Sequence, residues 1–440
     1  MRSPSSRPGQ LSRPVPAPPA ASGRQTLACG LALLALAPLE RAAPGTALWA
    51  APAILLAAML IAWAAEAAQF FIAQAFALAI LAWLQTMPEF AVEFVLAWRQ
   101  RVDLLLANLT GALRLLTGLG WPMIYFVAAF FHRRRYGKPL GRIRLEDHHS
   151  IEVMGLVLPL VYMGFVWSKA TLTLFDAAIL VAIYIAYLCV LRRMPAERAE
   201  GIEDLETVPR ALAQSPPRLR TLLIAGFFVA GGLLIYFTAE PFLGSLLAIS
   251  ALLGVPSFVF VQWVAPLVSE FPEKVSAFYW ARTVDRASMA LMNMVSSNIN
   301  QWTLLAAMLP IVYSISRGRL STIPLNGQQE LELLMTIGQS LVGMVFLLDM
   351  ELVWWQAAAL FCLWAVQFGF SPVPPGRGVA GFIAQHIHRW VTVAYFVWVA
   401  AALLRYVARL GQPASRRVPE AFRLFGEMWR RHIWVRREAE

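Results

Sequence analysis

The chain has 440 residues, 59% of them hydrophobic and only 14% charged. Soluble domains carry about a quarter charged residues, so this composition, with a mean hydropathy of +0.59, excludes an ordinary soluble fold and points to one helical bundle in a membrane. The net charge of +11 comes without any recognised nucleic-acid module, and the basic residues collect in loops and tails; membrane lipids are expected as partners and nucleic acid is not.

Residues 1–25 are rich in Pro, Ser, Ala and Arg and contain no acid, which predicts a disordered basic N-terminus. The apolar run 27–39 is short for a span, and its leader is long for a signal peptide, so it is assigned to neither. A first half, 46–191, predicts helices at 46–65, 68–97 (interrupted at Pro88), 103–131 (broken near Gly118 to Pro122), 150–167 and 172–191. The polar segment 192–218 reads as a linker. A second half, 219–370, predicts helices at 219–238, 244–281 (broken at Pro272), 285–315, 331–348 and 351–370, and an extra transmembrane helix follows at 390–408. That makes an all-α polytopic membrane protein of about eleven transmembrane helices. The tail, 412–440, is basic and amphipathic. Phe422, Phe425 and Trp429 share a helical face there, as in an interfacial helix on anionic lipid; a solvated tail is the alternative. Cys29, Cys189 and Cys362 all lie in apolar stretches with no metal or redox spacing and read as small packing residues.

Charge sets the orientation. The loop from His132 to Arg144, the linker with Arg192, Arg193, Arg218 and Arg220, and the tail with Arg416, Arg417, Arg430, Arg431, Arg436 and Arg437 all thread to one side, the cytoplasmic one. Arg99 and Arg101 fall on the other side, against the rule. On this thread the helix carrying Glu89 runs outward and the one carrying Glu273 runs inward, so the halves are two inverted-topology repeats with their Pro-broken helices at the membrane midplane.

Two strings carry the chemistry: Gln85-Thr86-Met87-Pro88-Glu89 and Ser269-Glu270-Phe271-Pro272-Glu273. A carboxylate inside an apolar, membrane-length run faces a pathway or a partner, and a proline there frees a backbone carbonyl. Thr86 and Glu89, and Glu270 and Glu273, stand three apart and can share a helical face. The next predicted helix of each half brings Asn108-Leu109-Thr110-Gly111 and Asn293-Met294-Val295-Ser296-Ser297-Asn298, with Gln301 beyond. Carboxylate, hydroxyl, amide and carbonyl oxygens suit a hard cation, and the same buried carboxylates can take protons instead, so one site can exchange a cation for protons.

These paired turns resemble the two repeats of the sodium/calcium exchanger superfamily, whose repeat has a Thr-Ser-x-Pro-Glu turn followed by Asn-x-x-Gly-Ser-Asn. The resemblance implies that Glu89 and Glu273 bind the transported cation. It places the family's hydroxyl on Thr86 and on Glu270, its Gly-Ser-Asn serine on Ala112 and Ser297, and a further polar ligand on Leu116 and Gln301; Asn108 and Asn298 complete the implied set. The first repeat thus lacks two side-chain ligands and the second gains a carboxylate. Proton coupling through Glu270 becomes more plausible than sodium coupling. The implied function is a secondary antiporter of a bacterial inner membrane that exchanges Ca2+ or another cation against H+ or Na+. No cofactor is implied beyond the transported ions.

Other residues read two ways. Glu93, four after Glu89, can join the site or relay protons. Lys274 either points to another face or pairs with Glu270. Glu146, Asp147, His148, His149 and Glu152 can hold a metal but read more simply as a loop and helix start. Asp349, Glu351 and Glu66 read as interfacial, and His386 and His388 flank the last helix with no partner visible. A membrane enzyme would need a nucleophile or a metal triad, and neither is present. The losses at Ala112 and Leu116 keep open a non-transporting relative acting as a sensor or assembly factor.

Overall fold

A computed structural model describes residues 43–71, 86–194, 202, 205–374, 376, 378–408 and 418–434. The basic N-terminus, the run 27–39, Cys29, Gln85, part of the linker, and Arg416, Arg417, Arg436 and Arg437 of the tail lie outside the described residues. The first half comprises α1 (Ala47–Ala68), α2 (Met87–Trp98), α3 (Leu105–Leu115), α4 (Trp121–Tyr136), β1 (Arg142–Arg144), α5 (Ser150–Gly155), α6 (Val157–Ser168), β2 (Thr171–Leu172) and α7 (Leu174–Leu191). After α8 (Thr207–Gln214) the second half follows: α9 (Pro217–Leu253), α10 (Ser257–Ser269), α11 (Phe271–Arg282), α12 (Ala287–Asn300), α13 (Ala306–Ser316), β3 (Ile323–Pro324), α14 (Gly327–Leu347), β4 (Glu351–Val353) and α15 (Trp354–Phe370). Two last helices are α16 (Val379–Ala408) and α17 (Glu420–Trp429).

Among the described residues seven helical segments are long and apolar enough to cross a membrane: Pro44–Ala68, Leu105–Tyr136, Asp147–Ser168, Leu174–Leu191, Pro217–Leu253, Gly327–Leu347 and Val379–Ala408. The expected eleven includes four more stretches that are shorter or interrupted, namely α2, the α10–α11 pair, the α12–α13 pair and α15. Exposed apolar side chains such as Phe175, Ile185, Leu222, Val229, Val397 and Leu404 coat the outside of α7, α9 and α16, as a lipid-facing surface requires. Cys189 and Cys362 are exposed free thiols, so they do not pack in the core.

The prolines of the two key turns start helices rather than kink them. Pro88 and Pro272 lie in the first turns of α2 and α11, where the missing N–H has no intrahelical role. Two predicted breaks are corrected. The chain runs on through Gly118 to Pro122 because a π turn, Leu116–Gly120, shifts the hydrogen-bond register there and accommodates the proline. Pro241 does not divide α9, which ends instead at Gly254, with φ +67°, ahead of Pro256; the left-handed conformation is the one glycine adopts without penalty.

The two short ladders tie the halves together. β1 pairs antiparallel with β4, and β2 with β3. β1 follows α4 and β3 follows α13, so these are equivalent strands of the two halves. One candidate span separates β1 from β2 and another separates β3 from β4. The cross-pairing therefore puts equivalent strands at opposite ends of the bundle, the arrangement of inverted repeats. The same threading brings the start of the 192–218 linker back to the β1 end. Against the expectation of an interfacial tail, α17 docks on protein at that end: Ala421, Leu424 and Met428 are buried, and Ala421 N donates to Leu348 O at 2.9 Å. Arg99, the exception to the charge rule, pairs with Glu240, and Arg101 pairs with Asp103.

Many of the buried polar side chains lie where α2, α3, α10, α11 and α12 meet. α3 and α10 come so close that a Cβ at Gly111 would collide with the carbonyl oxygen of Gln262. That contact brings the polar helix of one repeat against the Pro-Glu segment of the other.

Candidate cation-binding site

The sequence places four carboxylates in apolar surroundings, and the fold buries all four: Glu89 (0% exposed), Glu93 (0%), Glu270 (2%) and Glu273 (1%). Glu89 interacts electrostatically with Glu270, Glu93, Glu273 and Lys274, so the two Pro-Glu turns do meet. Gln301 joins them, its Nε2 donating to Glu89 Oε2 at 2.7 Å and to Glu270 Oε1 at 2.9 Å. Gln301 opens a second π turn, Gln301–Leu305, at the position that Leu116 holds in the first repeat. A π turn at the same place in both halves marks a built feature, since such turns are rare and cluster at functional sites.

Thr86 Oγ1 accepts from Asn300 Nδ2 at 2.6 Å. Lys274 turns to Glu270, with Nζ 2.5 Å from Oε2. Asn108 donates to Glu93 Oε1 at 3.3 Å, and Asn298 donates to Thr117 Oγ1 at 3.4 Å. Ser296 faces away from the ligand set and shares a 3.1 Å hydrogen bond with Tyr187.

The unpaired atoms are informative. Around the two turns, the buried atoms without a hydrogen-bond partner are Glu89 Oε1, Glu93 Oε2, Asn108 Oδ1, Asn298 Oδ1, Asn300 Oδ1 and Gln301 Oε1, and the Glu273 carboxylate has only the Ser297 hydroxyl beside it. Every one is an oxygen. Buried polar groups are paired as a rule, and leaving one unpaired costs about 1–3 kcal/mol. Acceptors of this kind, on α2, α3, α11, α12 and the Gln301 turn, are the type that a hard cation takes, about six to eight at a time. Among the described residues no three His, Cys, Asp or Glu side chains form a metal-holding group. The 146–152 cluster is a helix start, with Glu146 N donating to His149 Nδ1 at 3.1 Å.

With this geometry in view, the likeness to known proteins is decisive. The family description for sodium/calcium exchanger proteins matches residues 43–192 and 223–371, once in each half. The chain belongs to the sodium/calcium exchanger family. It is a cation exchanger of the membrane and not an enzyme. A crystal structure described as the H+/Ca2+ exchanger CAX superposes with a TM-score of 0.80 at 31% identity, over 92% of this chain and 97% of that one. The structure of native YfkE shares the fold, with a TM-score of 0.54 at 13% identity over 84% of this chain and 99% of that one. A comparison with curated proteins finds no match.

Several buried polar residues escape a reading by motif. Asn300 adds an amide to the site. Glu66 is not interfacial: it is buried in α1 and accepts from Ser276 Oγ at 2.9 Å, one turn beyond Glu273. A second charged cluster lies outside the Pro-Glu turns. Arg114 Nη2 is 2.8 Å from Glu332 Oε2, and His388 Nδ1 is 2.6 Å from Glu332 Oε1. Gln262 Nε2 donates to Glu332 and to Thr110, each at 3.1 Å. His386 and His388 lie within α16, which starts earlier than predicted, so they do not flank it. The available signal was Arg114 itself, a full charge in an apolar run.

Proposed function

We propose that this exchanger moves Ca2+ against protons by alternating access, with Glu89 and Glu273 as the charged ligands of the cation. The observation that carries this reading is the set of partnerless oxygens gathered between the two Pro-Glu turns. Glu273 stands out, because its carboxylate has only the neutral Ser297 hydroxyl of the next helix beside it. Thr86, Asn108, Ser297, Asn298, Asn300 and Gln301 supply neutral oxygens. The 31% identity to a protein described as an H+/Ca2+ exchanger supports both the ion and its counter-ion.

Two carboxylates at this depth do not stay charged without a counter-ion. When Ca2+ leaves, two protons replace it on Glu89 and Glu273, and the site carries the same charge in both states. Lower pH then competes with Ca2+, so apparent Ca2+ affinity falls as pH falls. Ala112 and Leu116, at positions where the first repeat would need ligands, argue against a sodium-coupled cycle. Glu93, beside Asn108, is the proposed relay for protons. The basic end of the bundle, with β1, the linker and α17, is assigned to the cytoplasm of a bacterial inner membrane.

The test is Ca2+ uptake into sealed vesicles containing the full chain. Uptake driven by an imposed pH gradient, and unchanged when sodium replaces choline, is the expected result. Uptake that follows a sodium gradient and ignores the pH gradient would overturn the proton half of the proposal.

A further inference from the structure

We infer that Lys274 is a tethered counter-ion: its ammonium occupies, inside the transport site, the place next to Glu270 that a monovalent coupling cation would otherwise take. The inference deepens the cation-site reading above and rests on it.

The two repeats carry the argument in register. Where the first has Thr86 and Phe90, the second has Glu270 and Lys274, two positions before the Pro-Glu pair and one after it. An acid and a base have entered together. They stand one helical step apart, with Nζ 2.5 Å from Oε2 and side chains only 7% and 2% exposed. A buried charge persists only when paired, and here the partner is built into the same turn. Glu270 is engaged on both oxygens, by Lys274 on one and by Gln301 on the other. Glu273, three residues on, is hydrogen-bonded by neither Lys274 nor Gln301, and only the neutral Ser297 hydroxyl stands beside it. One carboxylate of the second repeat is therefore filled from within, and the other is left for the transported ion.

Charge arithmetic gives the same division. With Glu93, the proposed relay, carrying its proton, Glu89, Glu270 and Glu273 with Lys274 sum to two negative charges, which one divalent cation balances. Without the ammonium the three carboxylates need a divalent and a monovalent cation together. The salt bridge thereby sets how many ions the site takes and keeps sodium out of it.

The experiment uses the purified full chain and vesicles made from it, with Lys274→Ala as the test variant. Thermal unfolding and Ca2+ uptake are compared in choline, sodium and methylammonium chloride. Wild type should show no difference among the three salts. In Lys274→Ala, sodium or methylammonium should raise the unfolding temperature and increase Ca2+ uptake by roughly fivefold or more over choline, the range of ordinary coupling between sites. A merely structural salt bridge would not be restored by a small soluble cation. A second variant, Glu270→Thr with Lys274→Phe, removes both charges and should unfold at the same temperature in all three salts. A folded Lys274→Ala chain indifferent to sodium and methylammonium overturns the inference. So does one that cannot be recovered folded even in sodium, and so does a sodium response in the double variant. If wild type moves no Ca2+, the exchange reading fails, while the salt dependence of unfolding still decides the role of Lys274.

Discussion

The two Pro-Glu turns have nearly the same backbone and very different side chains. Each places a proline in the first turn of a helix, and each is followed by a polar helix that opens into a π turn at the same position, Leu116 in one and Gln301 in the other. The second repeat brings Glu270, Lys274, Ser297 and Gln301 to the positions where the first has Thr86, Phe90, Ala112 and Leu116. The glutamate after each proline and the asparagine that opens the next polar helix's motif, Asn108 and Asn293, are common to both. The difference separates two requirements. The backbone path and the paired carboxylates are symmetric, as a site opened alternately from either side needs. The neutral polar side chains are not symmetric: one donor, Gln301, reaches carboxylates of both halves from one side.

The largest effect should come from breaking the symmetric part. Glu89→Gln and Glu273→Gln are each expected to reduce Ca2+ uptake by about 100-fold or more, since even outer-sphere changes at metal sites cost about 10–100-fold, while the folded protein stays in the membrane. Uptake within a few fold of wild type in either variant would remove that residue from the site. Next comes an asymmetry outside the turns. Arg114 has Ile299 as its counterpart in the second repeat and is fully buried against Glu332. Arg114→Met strands that carboxylate, and breaking a buried pair costs about 3–5 kcal/mol; the lower end is expected because His388 remains on Glu332. Thermal unfolding in detergent measures it. Adding Glu332→Leu should recover most of the loss, and failure to do so would show that the cost lies in packing against Trp263, whose ring lies 4.9 Å from the guanidinium.

Much of this was legible in the sequence, for physical reasons. Apolar runs of membrane length announce spans, and a Pro-Glu pair inside one is too costly to be incidental. Basic loops fixed a threading that the cross-paired strands agree with. What escaped reading depends on distance in space. Lys274 has two faces open to it in sequence, and only the packed α11 turns it to Glu270. Glu332 and His388 are 56 residues apart and meet because α14 and α16 pack side by side. Pro122 and Pro241 look like breaks, but a π turn and a continuous buried helix absorb them. Ser296 looks like a ligand until Tyr187 claims it.

A further variant imposes the chemistry of the first repeat on the second. Gln301→Leu removes the one amide that donates to both Glu89 and Glu270. Hydrogen bonds to charged groups contribute about 1.5–3 kcal/mol, so Ca2+ affinity should fall by about tenfold or more, read as a shift in the Ca2+ concentration for half-maximal uptake. An unchanged half-maximal concentration would mean that the bridge between the repeats is structural and that the ion sits elsewhere among the free oxygens.

The smallest effect is expected at Thr117, and it sharpens the comparison most. Thr117 lies in the first π turn, one residue after Leu116, and is the nearest hydroxyl in sequence to that apolar position. Its Oγ1 accepts from Asn298 Nδ2 at 3.4 Å, a long contact, and Asn298 Oδ1 stays unpaired. If Thr117 only steadies Asn298, Thr117→Val keeps the shape and removes one weak neutral hydrogen bond, worth about 0.5–1.5 kcal/mol at most. Ca2+ affinity should then change by no more than about threefold, and the unfolding temperature only slightly. A loss comparable to that of Gln301→Leu would mean the opposite: the first repeat has moved its missing ligand by one residue, using the wider π turn to bring Thr117 where Leu116 cannot serve. The two repeats would then be closer in chemistry than their aligned residues suggest. The reciprocal change, Leu116→Gln, separates the cases, because it should improve Ca2+ affinity only if no hydroxyl already fills that place.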